Sequence, residues 1–154
     1  MVSPIRLARG EDLDLIASLV GEFYAESSYP FDRDLARGAL AALLADPSLG
    51  RLWLILKAEV PIGYIAVTFG FSLELYGRDA FIEDLFIQPA FRRAGLGTRV
   101  FEEVEPQCRA LGVRALHLEV ERTNQAAQGL YRKRGFRKSD RLLLSKPLHP
   151  DRVA

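Results

Sequence analysis

The stretch "FIEDLFIQPAFRRAGLGTRVFEEVE", Phe81 to Glu105, decides how the chain is read. An apolar, strand-like run ends at Pro89. A basic turn follows, Arg92-Arg93-Ala94-Gly95-Leu96-Gly97-Thr98, and then a helix-like pattern. Glycine costs roughly 1 kcal/mol against alanine inside a helix, so two glycines at a helix start call for a reason. A helix N-terminus carries backbone N–H groups without intrahelical partners and a partial positive charge, which suits phosphate. Glycines let those amides approach an anion, and Arg92 and Arg93 add donors and charge. The turn lacks the Gly-Lys-Ser/Thr ending of a nucleotide P-loop and is not G-x-G-x-x-G, so neither nucleotide motif is supported. On these residues alone, a phosphate cradle and a tight turn with surface arginines both remain open.

Working outward, residues 3–9 alternate as a short strand, and residues 11–26 place Leu13, Ile16, Leu19, Val20 and Phe23 at helical spacing. Asp32 or Asp34 can cap a second helix running to about Ala45. "RLWLILKA" and "IGYIAVTFGF" form a hairpin around Glu59–Pro61, and "AFIEDLFIQP" is a further strand. Leu96, Val100, Val104 and Cys108 mark one face of a helix from about Gly95 to Leu111, with Pro106 expected to kink or loosen its last turns. "VRALHLEV" reads as a strand, "NQAAQGLYRKRG" as a helix and "FRKSDRLLLSKPL" as a last strand. The order β-α-α-β-β-β-α-β-α-β implies an α/β (α+β) fold with a mixed, largely antiparallel sheet flanked by helices.

At 154 residues, 49% hydrophobic and 27% charged, the chain reads as one soluble domain over residues 3–148 with a short tail at 149–154. No apolar run approaches the ~20 residues of a membrane span, and the N-terminus lacks the layout of a secretory signal. A cytoplasmic protein without membrane contact is expected. The single cysteine, Cys108, excludes an internal disulfide, and no Cys/His cluster has metal spacing. Residues 1–87 carry 7 Lys/Arg against 13 Asp/Glu, a net of −6, whereas residues 88–154 carry 14 against 7, a net of +7. Such asymmetry hints at the charge of the partners.

Two motifs in register resemble the GNAT superfamily of acyl-CoA-dependent N-acyltransferases. The family's Arg/Gln-x-x-Gly-x-Gly/Ala is matched by Arg92, Gly95 and Gly97. Its Asn-x-x-Ala-x-x-x-Tyr-x-x-x-Gly-Phe pattern is matched by Asn124, Ala127, Tyr131, Gly135 and Phe136. The resemblance implies a GNAT-like fold and acetyl-CoA as cosubstrate, with no metal. The amides of Arg92, Arg93, Ala94, Gly95, Leu96, Gly97 and Thr98 would hold its pyrophosphate. The backbone of Leu85, Phe86 and Ile87 would pair with the pantetheine arm, where this strand splays from the "ALHLEV" strand, and Asn124 would bond the pantetheine region. Tyr131 would sit near the thioester sulfur. Homodimers are common among such proteins.

Acetyl transfer to an amine needs a base for the amine proton and an acid for the leaving thiolate. Tyr131 is the acid candidate; a phenol can donate to a thiolate. Glu83 and Asp84 are the base candidates, expected on opposite faces of their strand; the resemblance in position to the acidic base of several relatives favours Glu83 over Asp84, and a water relay from either is open. Glu74 and Tyr76, with Tyr24, Glu26 and Tyr29, are candidates for an acidic, aromatic acceptor mouth suited to a cationic amine. Arg132-Lys133-Arg134, Arg137 and Lys138 surround a helix C-terminus and lack interleaved stacking aromatics, which argues against nucleic acid. His117 reads as structural, and Cys108 has no neighbouring base for a covalent route. The expected activity is N-acetyl transfer to a primary amine by direct attack in a ternary complex. The alternatives are a non-catalytic acyl-CoA-binding regulatory domain and a protein lysine or N-terminal acetyltransferase.

Overall fold

A computed structural model describes residues 2–149. The chain runs β1 (Ile5–Leu7), α1 (Leu13–Glu26), α2 (Arg33–Ala45), β2 (Gly50–Lys57), β3 (Val60–Ser72), β4 (Gly77–Ile87), α3 (Leu96–Ala110), β5 (Leu116–Leu118) and α4 (Gln125–Lys133). The five strands lie in sequence order in one sheet. β1 to β4 pair antiparallel, and β5 joins β4 in parallel after the α3 crossover. The expected mixed, largely antiparallel α/β architecture is therefore present.

The local chemistry explains most boundaries. Asp32 caps α2, its carboxylate accepting from the Leu35 amide. Ala58 and Glu59 both have positive φ, as a two-residue hairpin between twisted strands demands. Two apolar clusters cover the sheet. One packs Trp53, Ile65, Val67, Ala80 and Ile82 under Val100, Phe101 and Val104 of α3. The other packs Leu52, Leu54, Tyr64, Ala66 and Phe86 under Ile16, Leu19 and Val20 of α1. Leu96, Val100, Val104 and Cys108 are all buried, as their spacing predicts.

Two expectations are corrected. Pro106 does not loosen α3, which continues through it to Ala110; burial of Val104 and Cys108 on either side holds that turn. The last expected strand, residues 136–148, forms no ladder. Phe136 packs on the α3-side cluster, and residues 137–149 join no strand ladder among the described residues. The amphipathic pattern is there, but no neighbouring strand is. Of the tail expected at 149–154, residues 150–154 lie outside the described residues. Among the described residues, no helix is long and apolar enough to cross a membrane.

Candidate active site

β4 carries one residue too many for its pairing with β3. Ala66 pairs with Asp84 and Val67 with Ile82, so Glu83 is the extra residue of a β-bulge. The bulge inverts which residues face which helix layer. Ala80 and Ile82 belong to the α3 side, as do Leu85 and Ile87, while Phe86 belongs to the α1 side. Asp84 follows Phe86, because its Oδ2 accepts from the Tyr64 hydroxyl at 2.8 Å and from the Tyr24 hydroxyl at 3.4 Å. Glu83 Oε1 accepts from the Thr68 hydroxyl at 2.9 Å, and Thr68 shares a face of β3 with Tyr64 and Ala66. Both carboxylates thus stand on the α1 face, and the expectation of opposite faces is corrected.

Their surroundings differ. Glu83 is exposed. Asp84 is largely buried, and this raises its pKa above the usual carboxylate range; the Tyr64 and Tyr24 hydroxyls pull it down, and the charge of Glu83 raises it again. Burial next to Asp84 also pushes the Tyr64 phenol up. Nearby, Tyr29 donates to Glu121 Oε1 at 2.8 Å, linking the end of α1 to the loop after β5. The Tyr29 phenol is raised mainly by that bond, with Asp84 and Glu119 adding their negative fields. Tyr24, Tyr29, Phe23 and Phe31 pack edge to face over this corner.

Tyr64, Glu119 and Glu121 are members of this corner that the sequence reading left out. The "LEVE" alternation at residues 118–121, just before Asn124, was the visible signal for the two glutamates. Glu26 sits beside the Arg92–Thr98 turn rather than in the corner, since Arg92 Nη2 donates to its Oε1 at 2.7 Å. Glu74 and Tyr76 are not part of it. They lie at the far tip of the β3–β4 hairpin, where Glu74 pairs with Arg141. Seven residues of strand, about 23 Å, separate Gly77 from Asp84.

β4 and β5 pair only from Ala80–Leu116 to Ile82–Leu118. Beyond the bulge, Leu85, Phe86 and Ile87 pair with β3 on one side and, among the described residues, have no strand partner on the β5 side. The sheet therefore opens there, leaving backbone N–H and C=O groups for an extended ligand arm. At the end of this opening the turn enters α3. Arg93 and Gly95 have φ of +67° and +73°, and such a turn directs successive amides into one concavity. Gly95 occupies the N-cap and has no side chain to cap with. The first intrahelical bond is Arg99 N–H to the Gly95 carbonyl, so the Leu96, Gly97 and Thr98 amides are the helix's orphan donors. A pyrophosphate fits this arrangement.

The two glycines have different reasons. Gly95 supplies the left-handed backbone. A Cβ on Gly97 would come within 2.8 Å of Leu130 Cδ2, so Gly97 admits α4 against α3. The arginines divide likewise. Arg93 and Ala94 are exposed in the turn. The Arg92 side chain is engaged elsewhere, donating from Nε to the Ile87 carbonyl at 2.7 Å, besides its bond to Glu26. It ties the turn to β4 and α1.

Asn124 caps α4, its Oδ1 accepting from the Ala127 amide at 3.1 Å. Tyr131 lies on α4 between Phe101 and Phe136, edge to face with both. Burial raises its pKa, and among the described residues its hydroxyl has no hydrogen-bond partner. His117 sits on β5 with its Nε2 3.1 Å from Asp79. Cys108 is on the buried face of α3, its thiol pushed up to about 11 by desolvation, which removes thiolate character.

Comparison with known proteins identifies the family. The chain belongs to the acetyltransferase (GNAT) family, whose model matches residues 14–136. An IAA acetyltransferase of Azospirillum brasilense is 27% identical over 135 residues, covering 87% of this chain and 80% of that protein. An integron cassette protein from the mobile metagenome of Cole Harbour Salt Marsh is 39% identical in sequence. It superposes with a TM-score of 0.86 over 96% of this chain and 91% of its own. A predicted acetyltransferase from Clostridium acetobutylicum, solved with acetyl-CoA, shares the fold at a TM-score of 0.78 and 18% identity, covering 92% and 94% of the two chains. Family membership and the acetyltransferase relatives make the chain an acetyl-CoA-dependent acyltransferase.

Proposed function

We propose that this GNAT-family chain transfers the acetyl group of acetyl-CoA to a small cationic primary amine by direct attack in a ternary complex. The observation that carries the reading is the β4 bulge. It turns Glu83 and Asp84 together onto the α1 face, beside the opening where β4 and β5 part. Tyr131 stands in the other apolar layer, so amine and sulfur chemistry are served from opposite faces of one sheet.

In this reading the Leu96–Thr98 amides and Arg93 hold the pyrophosphate, and the open edge of Leu85–Ile87 pairs with the pantetheine arm. Asp84, held by Tyr64 and Tyr24, binds the incoming ammonium with the help of Glu119, Glu121 and the aromatic corner. Glu83, exposed to water, takes the amine proton directly or through a water and passes it to solvent. The neutral amine attacks the thioester carbonyl, a C–N bond forms, and the C–S bond breaks with its electron pair on sulfur. The Tyr131 hydroxyl protonates that thiolate to give the free CoA thiol, and the second proton, shed by the attacking nitrogen as it becomes the amide, passes through solvent to restore the Tyr131 phenol. The buried Cys108 takes no part.

A thiol-release screen with acetyl-CoA against an amine library tests this. Amine-dependent release, strongest for compounds that are cationic at neutral pH, is expected. Tight acetyl-CoA binding with no release for any amine would instead favour a non-catalytic acyl-CoA sensor. Release only with peptide lysine or N-terminal substrates would move the acceptor to proteins.

A further inference from the structure

The Ile87 carbonyl is one acceptor with two claimants. Gly63 and Ile87 stand opposite each other on β3 and β4, and the next amide along, Gln88 N–H, donates to the Ile62 carbonyl at 2.8 Å. Backbone polar groups alternate sides along an antiparallel strand. With Gln88 N–H turned toward β3, the Ile87 N–H and carbonyl point the other way, into the opening between β4 and β5. Yet that carbonyl is already taken. Arg92 Nε donates to it at 2.7 Å, while Arg92 Nη2 donates to Glu26 Oε1 at the same distance.

The guanidinium arrives from the α1 side. It lies over the Phe86 ring, 5.7 Å from the centroid, and Phe86 stacks on Phe23 of α1. Glu26 is the last residue of α1. The turn after it is closed by the Ser27, Ser28 and Tyr29 amides, bonded to the Phe23, Ala25 and Tyr24 carbonyls. Ser28 sits in this turn at a φ of +57°, a left-handed conformation that side chains disfavour, so the turn needs holding from outside. One turn earlier, Gln88 Nε2 reaches both Glu22 carboxylate oxygens at 3.3 and 3.1 Å, which anchors the body of α1 independently. Arg92 and Glu26 are 38% and 42% exposed. An ion pair so open to water is weak and readily undone.

We propose that Arg92 is a latch, a positioning residue that couples the cofactor edge to the acceptor corner. This rests on the docking of the pantetheine arm at Leu85–Ile87 in the reading above. In the free chain the guanidinium ties the Ile87 carbonyl to the end of α1. An amide N–H of the arm takes that carbonyl, and Arg92 keeps only its solvent-exposed pair with Glu26. The turn bearing Tyr29, next to Tyr24, then loosens. Cofactor binding thereby opens the aromatic corner before the amine arrives, which is a coupling between two sites.

Hydrogen exchange of the full chain, free and saturated with CoA, tests this. CoA should protect the Ile87 amide and speed exchange of the Ser27, Ser28 and Tyr29 amides, leaving the middle of α1 unchanged. In Arg92→Met and in Glu26→Gln those three amides should exchange fast without CoA, with circular dichroism unchanged. Pantetheine, which carries no phosphate, should bind Arg92→Met several-fold more tightly than wild type in an NMR titration, because no charge-assisted bond has to break first. Protection at Ile87 with no change at residues 27–29 would overturn the latch and leave the docking reading standing. No protection at Ile87 would overturn both. Pantetheine binding to Arg92→Met that is equal or weaker, or a slow-exchanging turn in either variant, would also overturn the latch.

Discussion

The two halves of the sheet are built differently. β3 and β4 pair over ten residue pairs, from Gly63–Ile87 to Ser72–Gly77, with one shift of register at the bulge. β4 and β5 hold together over three. The long-paired half is acidic and carries Glu83, Asp84 and their tyrosines; the short-paired half is basic and carries α4 with Tyr131. A rigid ladder can fix a carboxylate pair to within a hydrogen bond, and a ladder that stops early leaves an opening a ligand can enter. The chain uses both properties at one place, the bulge at Glu83, where the first region hands over to the second.

Four substitutions set the halves against each other. The largest effect is expected from Tyr131→Phe, which removes the acid proposed for the basic half: turnover should fall roughly a hundredfold while acetyl-CoA affinity stays within a factor of two by calorimetry. Unchanged turnover would take the phenol out of the chemistry. Tyr64→Phe acts on the acidic half. The hydroxyl lowers an Asp84 pKa that burial has raised, so its loss raises that pKa further. A raised folded-state pKa contributes stability at low pH that is lost as pH rises through it. The variant should therefore lose about 2 kcal/mol at pH 7, and less at pH 4, in denaturant melts. A loss larger at pH 4 than at pH 7 would contradict the assignment.

Gly95→Ala forces a side chain into a left-handed conformation at about 1 kcal/mol and should weaken acetyl-CoA binding several-fold. Gly97→Ala meets only the flexible end of Leu130, so it should cost under about 1 kcal/mol and leave affinity nearly intact. Equal loss of affinity in the two glycine variants would show that Gly97 serves the anion after all.

What could be read from the sequence follows the same division. The antiparallel half was legible to within two or three residues at the strand ends, because period-two alternation and local turn chemistry govern it; the glycine turn and α4 were legible through their motifs. The bulge was not, since an extra residue in β4 is defined only against its partner on β3. Nor was the commitment of Arg92 to Glu26, 66 residues away in sequence. The leucine-rich end reads as a strand from its pattern, yet a strand needs an edge to join, and among the described residues it joins none.

The central claim is that the carboxylates at the bulge share a face and divide the work, Glu83 taking the proton and Asp84 holding the amine. Steady-state kinetics of Glu83→Gln and Asp84→Asn, with the best acceptor from the amine screen, test it most directly. Glu83→Gln should lower kcat by about a hundredfold or more with KM for the amine nearly unchanged. Asp84→Asn should chiefly raise that KM. The reverse pattern, with Asp84→Asn abolishing kcat and Glu83→Gln turning over normally, would contradict the account.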